Sequence, residues 1–164
     1  MMTEKENFIQ LKKSNVLKIG IKDANGVDTG EWLEFDMDDI ELPLRLNKCS
    51  VEHRKNVDYA KMQFVIIDKK EDKKGKYLLS WKEEEKIKVL NEFFEKEMKV
   101  IDTFLGEGGC KKMLNGRKPY YEMFDDIYES LKPIFPLLEK NVKGINDKVR
   151  EKYKTLENEG NILE

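Results

Sequence analysis

The chain has 164 residues, of which 39% are hydrophobic and 39% charged, so it has the size of one domain and enough apolar residues to bury a core. Its 31 lysines and arginines nearly balance 33 aspartates and glutamates, and the net charge of −2 lacks the basic excess typical of nucleic-acid-binding proteins. No apolar run approaches the roughly 20 residues that span a bilayer, so we expect neither a nucleic acid nor a membrane as partner.

The N-terminal residues are charged and contain no apolar segment of the kind found in signal peptides. This pattern predicts an uncleaved N-terminus and a cytoplasmic protein. We expect residues 1–14 to be a flexible lead-in, residues 15–158 to form one domain, and residues 159–164 to be a flexible tail. No internal repeat and no change of composition divides the chain further.

Two short runs in which apolar and polar residues alternate predict a β-hairpin. The first run is Val16–Ile21 and the second is Trp32–Met37. The connector between them, Asp23–Gly30, contains the Asn-Gly pair that is typical of hairpin turns. Because a lone hairpin is only marginally stable in water, its apolar side is expected to lie on the rest of the domain.

Apolar residues that recur at three- and four-residue steps predict two long amphipathic helices. The first is expected over Pro43–Lys69, with its proline in the first turn, where a backbone donor is not needed. The second should begin with a capping box formed by Ser80 and Glu83. It should end at Gly106, which we expect in the left-handed conformation.

Shorter helical segments are expected after the second long helix. We predict a short helix at Gly109–Leu114, another that begins at Pro119, and a last one after Gly144. Pro133 and Pro136 must interrupt the segment that begins at Pro119, because each removes a backbone donor and clashes with the preceding turn. The predicted fold is therefore α+β and mostly α, with an N-terminal β-hairpin followed by an antiparallel helical bundle.

The segment FLGEGGCKK, residues 104–112, raises the question of a phosphate-binding loop. A P-loop requires G-x-x-x-x-G-K-[ST] after a strand. Here the glycine spacing differs, no serine or threonine follows the lysines, and the preceding segment is helical in pattern. We therefore interpret the segment as a helix end followed by a tight turn.

Cys49 and His53 lie four residues apart and share one face of the first long helix, so the two together could bind a metal. Two further ligands would be needed, and His53 is the only histidine of the chain. Both residues also lie on the apolar side of the helix, which favours ordinary packing. Cys49 and Cys110 form no CxxC motif, and we expect two reduced, packed thiols.

An acidic run without any basic residue follows the predicted hairpin loop; it comprises Glu31, Glu34, Asp36, Asp38, Asp39 and Glu41. Solvated strand residues and favourable charge at the start of a helix explain most of this run. The run could also serve as an acidic docking patch. The alternative is a metal-dependent phosphoryl-transfer or nuclease-type enzyme that uses the cluster Asp36–Glu41.

Other catalytic patterns are missing from the sequence. There is no G-x-S-x-G motif, and the single histidine is expected to be buried. We therefore assign no catalytic residue, no metal ligand and no cofactor, and we expect the protein not to be an enzyme.

The order of the predicted parts resembles that of a known protein family. The hairpin VLKIGIKDANGVDTGEWLEFDMDDIELPLR precedes two long helices, the turn FLGEGGCKKMLNG and the segment PYYEMFDDIYESLKP. This arrangement is similar to that of the small tail-assembly proteins encoded by phages and prophages of Gram-positive bacteria. The similarity covers roughly Val16–Pro133, and the F-x-G-E-G-type turn is its most specific part.

The resemblance implies a tail assembly chaperone, a protein thought to coat tape-measure and tail-tube subunits before they polymerise. It therefore implies tape-measure or tail-tube proteins as partners in the host cell cytoplasm, while another role in the tail fits the residues equally well. Self-association is left open. We predict that apolar residues around the glycine-rich turn bind the partner: Phe104, Leu105, Met113, Leu114, Tyr120, Tyr121 and Phe124.

Overall fold

A computed structural model describes residues 7–162 of the chain, and the side chains of residues 7–154. The expected lead-in and tail fall partly outside the described residues, at positions 1–6 and 163–164. Residues 7–15 form neither strand nor helix, whereas residues 159–162 continue the last helix. The remainder consists of a two-stranded sheet followed by helices, so the predicted α+β, mostly α fold is confirmed.

The predicted β-hairpin is present and is longer than expected. Strand β1 (Val16–Lys22) pairs antiparallel with strand β2 (Asp28–Asp36). The prediction that the second strand starts at Trp32 is wrong, because Lys22 pairs with Asp28 across the loop and a register shift follows. Gly30, with φ at 75°, permits this irregularity inside the strand.

The two predicted long helices are confirmed. They are α1 (Leu42–Asp68) and α2 (Trp81–Leu105), and both begin as the sequence indicates. Pro43 lies in the first turn of α1, and Ser80 and Glu83 form the capping box of α2 with hydrogen bonds of 2.7 and 3.2 Å. Within residues 7–162, no helix combines the length and apolar character that crossing a membrane requires.

Contacts at both ends show that α1 and α2 run antiparallel. Near the end of α1, Asp68 forms an ion pair of 2.6 Å with Lys86 in the first turns of α2. Near the start of α1, the thiol of Cys49 donates a hydrogen bond of 3.3 Å to the carbonyl of Val100, close to the end of α2. The two helices therefore form a long antiparallel pair, as predicted.

The C-terminal third follows the prediction only in part. The short helix α3 (Gly109–Leu114) is confirmed, but the helix expected from Pro119 begins four residues later, as α4 (Met123–Leu131). A 3₁₀ turn (Lys132–Ile134) then interrupts the path at the first proline, as predicted. The last helix, α5 (Phe135–Ile162), begins before Gly144 because Pro136 falls in its first turn, where it does not break the helix.

The hydrophobic core lies where the hairpin meets the helices. We call its buried residues, named below, together with the segments that carry them, the core body. The aromatic rings of Phe35 in β2 and Phe104 in α2 lie 5.4 Å apart at its centre. Asn141 in α5 donates a hydrogen bond to the carbonyl of Met37, which fixes the last helix to the end of the hairpin. Buried residues of this cluster come from both strands and from all five helices: Ile21, Leu33, Phe35, Leu42, Cys49, Ile101, Phe104, Cys110, Met123, Ile127 and Leu138.

The other half of the α1–α2 pair extends away from the core body. We call residues 57–92 the arm; it contains the end of α1, the connector and the beginning of α2. Among its side chains only Ala60 and Ile67 are buried. Since one helix covers only one side of the other, most apolar residues of the arm remain exposed or half-buried.

Candidate functional site

The residues predicted to bind a partner do not form one exposed surface. Phe104, Leu105 and Phe124 belong to the core, with exposed fractions of 5%, 6% and 8%. Met113, Leu114 and Tyr120 are half-buried, and Tyr121 is 50% exposed. The three core side chains are closed to a partner in this structure, because they lie on the inner face of their helices. Partner binding by the remaining four stays a prediction.

Asp102 holds the glycine-rich turn between α2 and α3. Its carboxylate accepts hydrogen bonds from the backbone N–H groups of Gly108, at 3.3 Å, and Cys110, at 2.8 Å. A phosphate cradle would present such backbone N–H groups to its ligand. Here they are bound by a side chain of the protein itself, and the interpretation of the segment as a helix end and tight turn is confirmed.

The prediction that Gly106 adopts the left-handed conformation is wrong. Its φ of 89° is positive as expected, but its ψ of 165° places it in an extended region that is essentially restricted to glycine. The left-handed residues of this segment are Gly108, with φ at 73°, and Asn115, with φ at 47°. The chain turns through two glycines here, because only the three residues 106–108 separate α2 from α3.

Carboxylates of the acidic run form hydrogen bonds and an ion pair near the start of α1. The carboxylates of Asp36 and Asp39 accept hydrogen bonds from backbone N–H groups two residues further on, those of Asp38 at 3.0 Å and Glu41 at 2.9 Å. Asp39 also forms an ion pair of 2.6 Å with Arg45. These carboxylates therefore cap turns of the backbone.

The remaining contacts of the run are also structural. Asp38 accepts a hydrogen bond of 3.2 Å from the backbone N–H of Asn15, which joins the run to the chain before β1. The hydrogen bond from Arg45 lowers the pKa of Asp39 below its ordinary value. Among the side chains that the structure describes, no three histidine, cysteine, aspartate or glutamate residues come together as metal ligands would.

A buried carboxylate lies where the arm joins the core body. Glu97 in α2 is only 1% exposed. One carboxylate oxygen lies 2.7 Å from Nδ1 of His53, and the other accepts a hydrogen bond of 3.0 Å from Asn56. The imidazole of His53 stacks on the ring of Phe124 at 3.8 Å. The cluster thus links three helices, α1, α2 and α4, through one satisfied carboxylate.

Sequence reasoning missed Glu97, since a glutamate in a charged helix normally lies on the solvated face. The position of Glu97 relative to the apolar residues of α2 could have indicated that it is buried. Glu97 lies four residues after Phe93 and four before Ile101, and both of these are buried. A charged residue at a buried position needs a partner, and the polar residues of α1 supply two.

Both cysteines are free and buried, as predicted. Burial, together with the nearby carboxylate of Glu97, raises the pKa of Cys49 to about 12. Burial and the carboxylates of Asp102 and Glu97 raise the pKa of Cys110 to about 12 as well. The thiols therefore stay protonated at neutral pH, which makes them poor nucleophiles and poor metal ligands. The predicted packing of Cys49 and His53 is confirmed.

The outer face of α1 carries a row of exposed apolar residues. It carries six exposed apolar residues along the helix: Leu44, Val51, Tyr59, Met62, Val65 and Ile66. We call this set the α1 stripe. Their exposed fractions range from 40% for Tyr59 to 67% for Leu44. Because α2 packs on the opposite side of α1, this helix has an apolar face on both sides.

Sequence reasoning assigned only the inner face of α1. Residues such as Cys49, Ala60 and Ile67 are indeed buried there. The stripe was not recognised in the sequence, because Met62, Val65 and Ile66 are interspersed with inner-face residues in one apolar run near the end of α1. A helix with one partner shows a polar outer face, whereas the exposed side of α1 combines apolar residues with charged ones.

Comparisons of the chain with protein-family models, curated proteins and solved structures found no match.

Proposed function

We propose that the protein is a non-enzymatic, protein-binding assembly factor of the phage tail-assembly chaperone kind. The α1 stripe is the observation that carries this proposal. Exposed apolar residues that line up along one helix mark a surface for another protein, whereas scattered single residues do not. The resemblance of the hairpin, the long helices and the F-x-G-E-G-type turn to tail-assembly proteins names the class of partner.

The environment of the most reactive groups supports a non-enzymatic role. Glu97 and His53 bind each other at the junction of three helices. The thiols of Cys49 and Cys110 have pKa values raised to about 12. A nucleophilic thiol needs a pKa near the working pH, which these thiols lack, and the carboxylate of Glu97 is buried against its two partners.

The proposed partners are the tape-measure and tail-tube proteins, met in the cytoplasm of the host cell. Holding such subunits before they polymerise requires a surface that covers their apolar faces reversibly. The α1 stripe meets this requirement, because it is exposed and lies on a helix held in place by α2. Another non-enzymatic role in the tail would use the same surface.

Co-expression tests the proposal. The tagged full chain is produced together with each tail-tube and tape-measure protein encoded beside its gene, and a tagged protein of similar size and charge serves as control. We expect one of these tail proteins to co-purify with the full chain and not with the control. If none of them co-purifies at low or at physiological salt, the proposed function is wrong.

A further inference from the structure

We propose that the α1 stripe binds an amphipathic helix with acidic flanks, supplied by the partner protein. This inference rests on the proposed protein-binding function and names the chemistry of the bound segment. It follows from three properties of the described residues. They are the shape of the stripe, the charges beside it, and the repulsion between like charges that would arise if two copies of the chain packed through their stripes.

The shape of the stripe matches that of a helix. From Leu44 to Ile66 the stripe covers 22 steps along α1, or about 33 Å at a rise of 1.5 Å per residue. Its members recur at steps of three, four, seven and eight residues, which places them along one narrow side of the helix. A helix laid lengthwise along this side covers the whole stripe through its own apolar face.

The charges beside the stripe select an acidic partner. Lys48, Arg54 and Lys61 are exposed, and each lies three or four residues from a member of the stripe. None of the three forms an ion pair with any side chain that the structure describes. Asp58 is also exposed, lacks an ion pair there and lies on the stripe side, seven residues from both Val51 and Val65, so three unpaired cations stand beside one unpaired carboxylate.

The other charges of α1 are already paired. Arg45 binds Asp39, and Asp68 binds Lys86. Lys55, which lies on the stripe side itself, binds Glu52 at 3.3 Å within the helix. The cations that remain for a partner are therefore the three unpaired ones. Arg54 and Lys61 lie seven residues apart along one edge of the stripe, and Lys48 lies within it, so glutamates or aspartates beside a partner's apolar face would meet them there.

A second copy of the chain fits this surface poorly. If two α1 stripes packed antiparallel and in register, Lys48 of one copy would lie beside Lys61 of the other. Lys55 would then lie close to its own equivalent. Like charges facing each other across two helices oppose association. An acidic helix faces no such repulsion.

Designed peptides test the inference on the full chain. Three labelled peptides of about 25 residues are compared by fluorescence anisotropy: an amphipathic helix with glutamate flanks, the same helix with lysine flanks, and the glutamate peptide in scrambled order. We expect the glutamate helix to bind at least about tenfold more tightly than the other two. Its affinity should fall as salt rises from 50 to 500 mM, because the flanking charges are exposed.

Variants locate the binding surface. The double variant Met62→Glu with Ile66→Glu should lose binding of the glutamate helix. The double variant Lys48→Glu with Lys61→Glu should reverse the preference in favour of the lysine helix. Val149→Glu is the matched control, because Val149 is 45% exposed on α5 and lies outside the stripe. This control should bind like the unchanged protein.

Several outcomes would overturn the inference. They are equal binding of the three peptides, an equal loss of binding in Val149→Glu, a wild-type dimer that the stripe variant converts to monomers, and stripe-dependent binding to anionic vesicles without peptide binding. The co-purification experiment separates this inference from the proposed function. If the stripe variant still co-purifies with a tail protein, the function stands and the assignment of the stripe is wrong.

Discussion

The two ends of α1 differ in their surroundings. In the core body, α1 is covered on one side by α2 and on another by the hairpin and α5, so Leu42 and Cys49 are 2% and 4% exposed. In the arm, α2 is the described element that packs on α1, and Met62 and Val65 are 55% and 53% exposed. The difference lies in the number of neighbouring elements.

This comparison separates stability from binding. Burial of apolar area is the main source of folding free energy, and it is concentrated in the core body. Surfaces that bind other molecules belong to the less stable parts of a protein, because they must remain exposed until the partner arrives. The arm therefore supplies four of the six residues of the α1 stripe, and the core body supplies the stability that holds them in place.

The largest expected effect is the loss of a core side chain. Phe35 is 2% exposed and contacts Phe104, so Phe35→Ala should lower the free energy of unfolding by about 4 kcal/mol. Trp32 is the matched control, because it lies three residues earlier in β2 and is 49% exposed. Trp32→Ala should cost less than about 1 kcal/mol in urea unfolding. Equal losses would mean that the hairpin does not contribute to the core.

The junction of the two regions should be nearly as sensitive. Glu97→Ala leaves the half-buried imidazole of His53 and amide of Asn56 without their partner, and it should cost about 2–3 kcal/mol of unfolding free energy. Glu95→Ala is the control on the exposed face of the same helix and should change stability by less than about 0.5 kcal/mol. Urea unfolding followed by circular dichroism measures both. A small loss in Glu97→Ala would show that the cluster is not required for the junction.

The fold was largely predictable from the sequence because its signals are local. The capping box of Ser80 and Glu83, the proline at the start of α1 and the alternation of the strands each act over a few residues. The errors came where a local signal had two meanings. Pro119 could begin a helix but lies in the connector between α3 and α4, and Gly144 could end one but lies inside α5.

The candidate site was much less predictable, because exposure depends on distant parts of the chain. Phe104 and Phe124 are aromatic residues of the kind found in binding surfaces, but the hairpin and neighbouring helices bury them. Met62 and Ile66 are apolar residues of the kind found in protein cores, but no part of the chain that the structure describes covers their side of α1. Glu97 is buried only because α1 presents His53 and Asn56 to it. Helical periodicity identifies the faces of a helix without showing which face has a neighbour.

Within the arm, two adjacent isoleucines sharpen the comparison. Ile67 is 6% exposed and faces α2, whereas Ile66 is 42% exposed on the stripe. Ile67→Ala should cost about 2 kcal/mol of unfolding free energy, at the low end for a buried isoleucine, because the thin arm can relax around the change. Ile66→Ala should cost less than about 0.5 kcal/mol. Thermal unfolding compares the two, and a larger loss for Ile66 would show that the stripe is covered within the folded chain.

The turn between α2 and α3 should respond moderately. Gly106→Ala forces a side chain into a backbone region that only glycine adopts readily, and it should cost about 1–2 kcal/mol of unfolding free energy. The added Cβ meets no atom within 4 Å, so the cost is conformational. Lys111→Ala and Lys112→Ala are controls with exposed side chains and should remain within about 0.5 kcal/mol. ATP should not change the melting temperature of any of the three variants, and a stabilisation by ATP lost in the lysine variants would show that the turn binds phosphate.

The smallest expected effect is a decrease in the free energy of unfolding at alkaline pH. It arises from two thiols that both lie in the core body. The pKa values of Cys49 and Cys110 rise from an ordinary 9.0 to about 12 on folding. A raised pKa stabilises the fold fully below pH 9 and progressively less as pH rises towards 12, because the unfolded thiols lose their protons first. At pH 10 the loss should be on the order of 1 kcal/mol per thiol. Lysines and tyrosines titrate in the same range, so the test compares each protein with itself.

Cys49→Ala and Cys110→Ala should each lose stability between pH 8.5 and 10.5 less steeply than the unchanged protein. The two tryptophans allow the regions to be followed separately, since Trp32 lies in the hairpin and Trp81 at the start of α2 in the arm. In the Trp81→Phe background, the emission of Trp32 during urea unfolding should show the difference between the cysteine variants and the parent protein. Identical pH profiles for the variants and the parent protein would mean that the thiols do not titrate with folding, and the burial that separates the core body from the arm would then be weaker than the structure indicates.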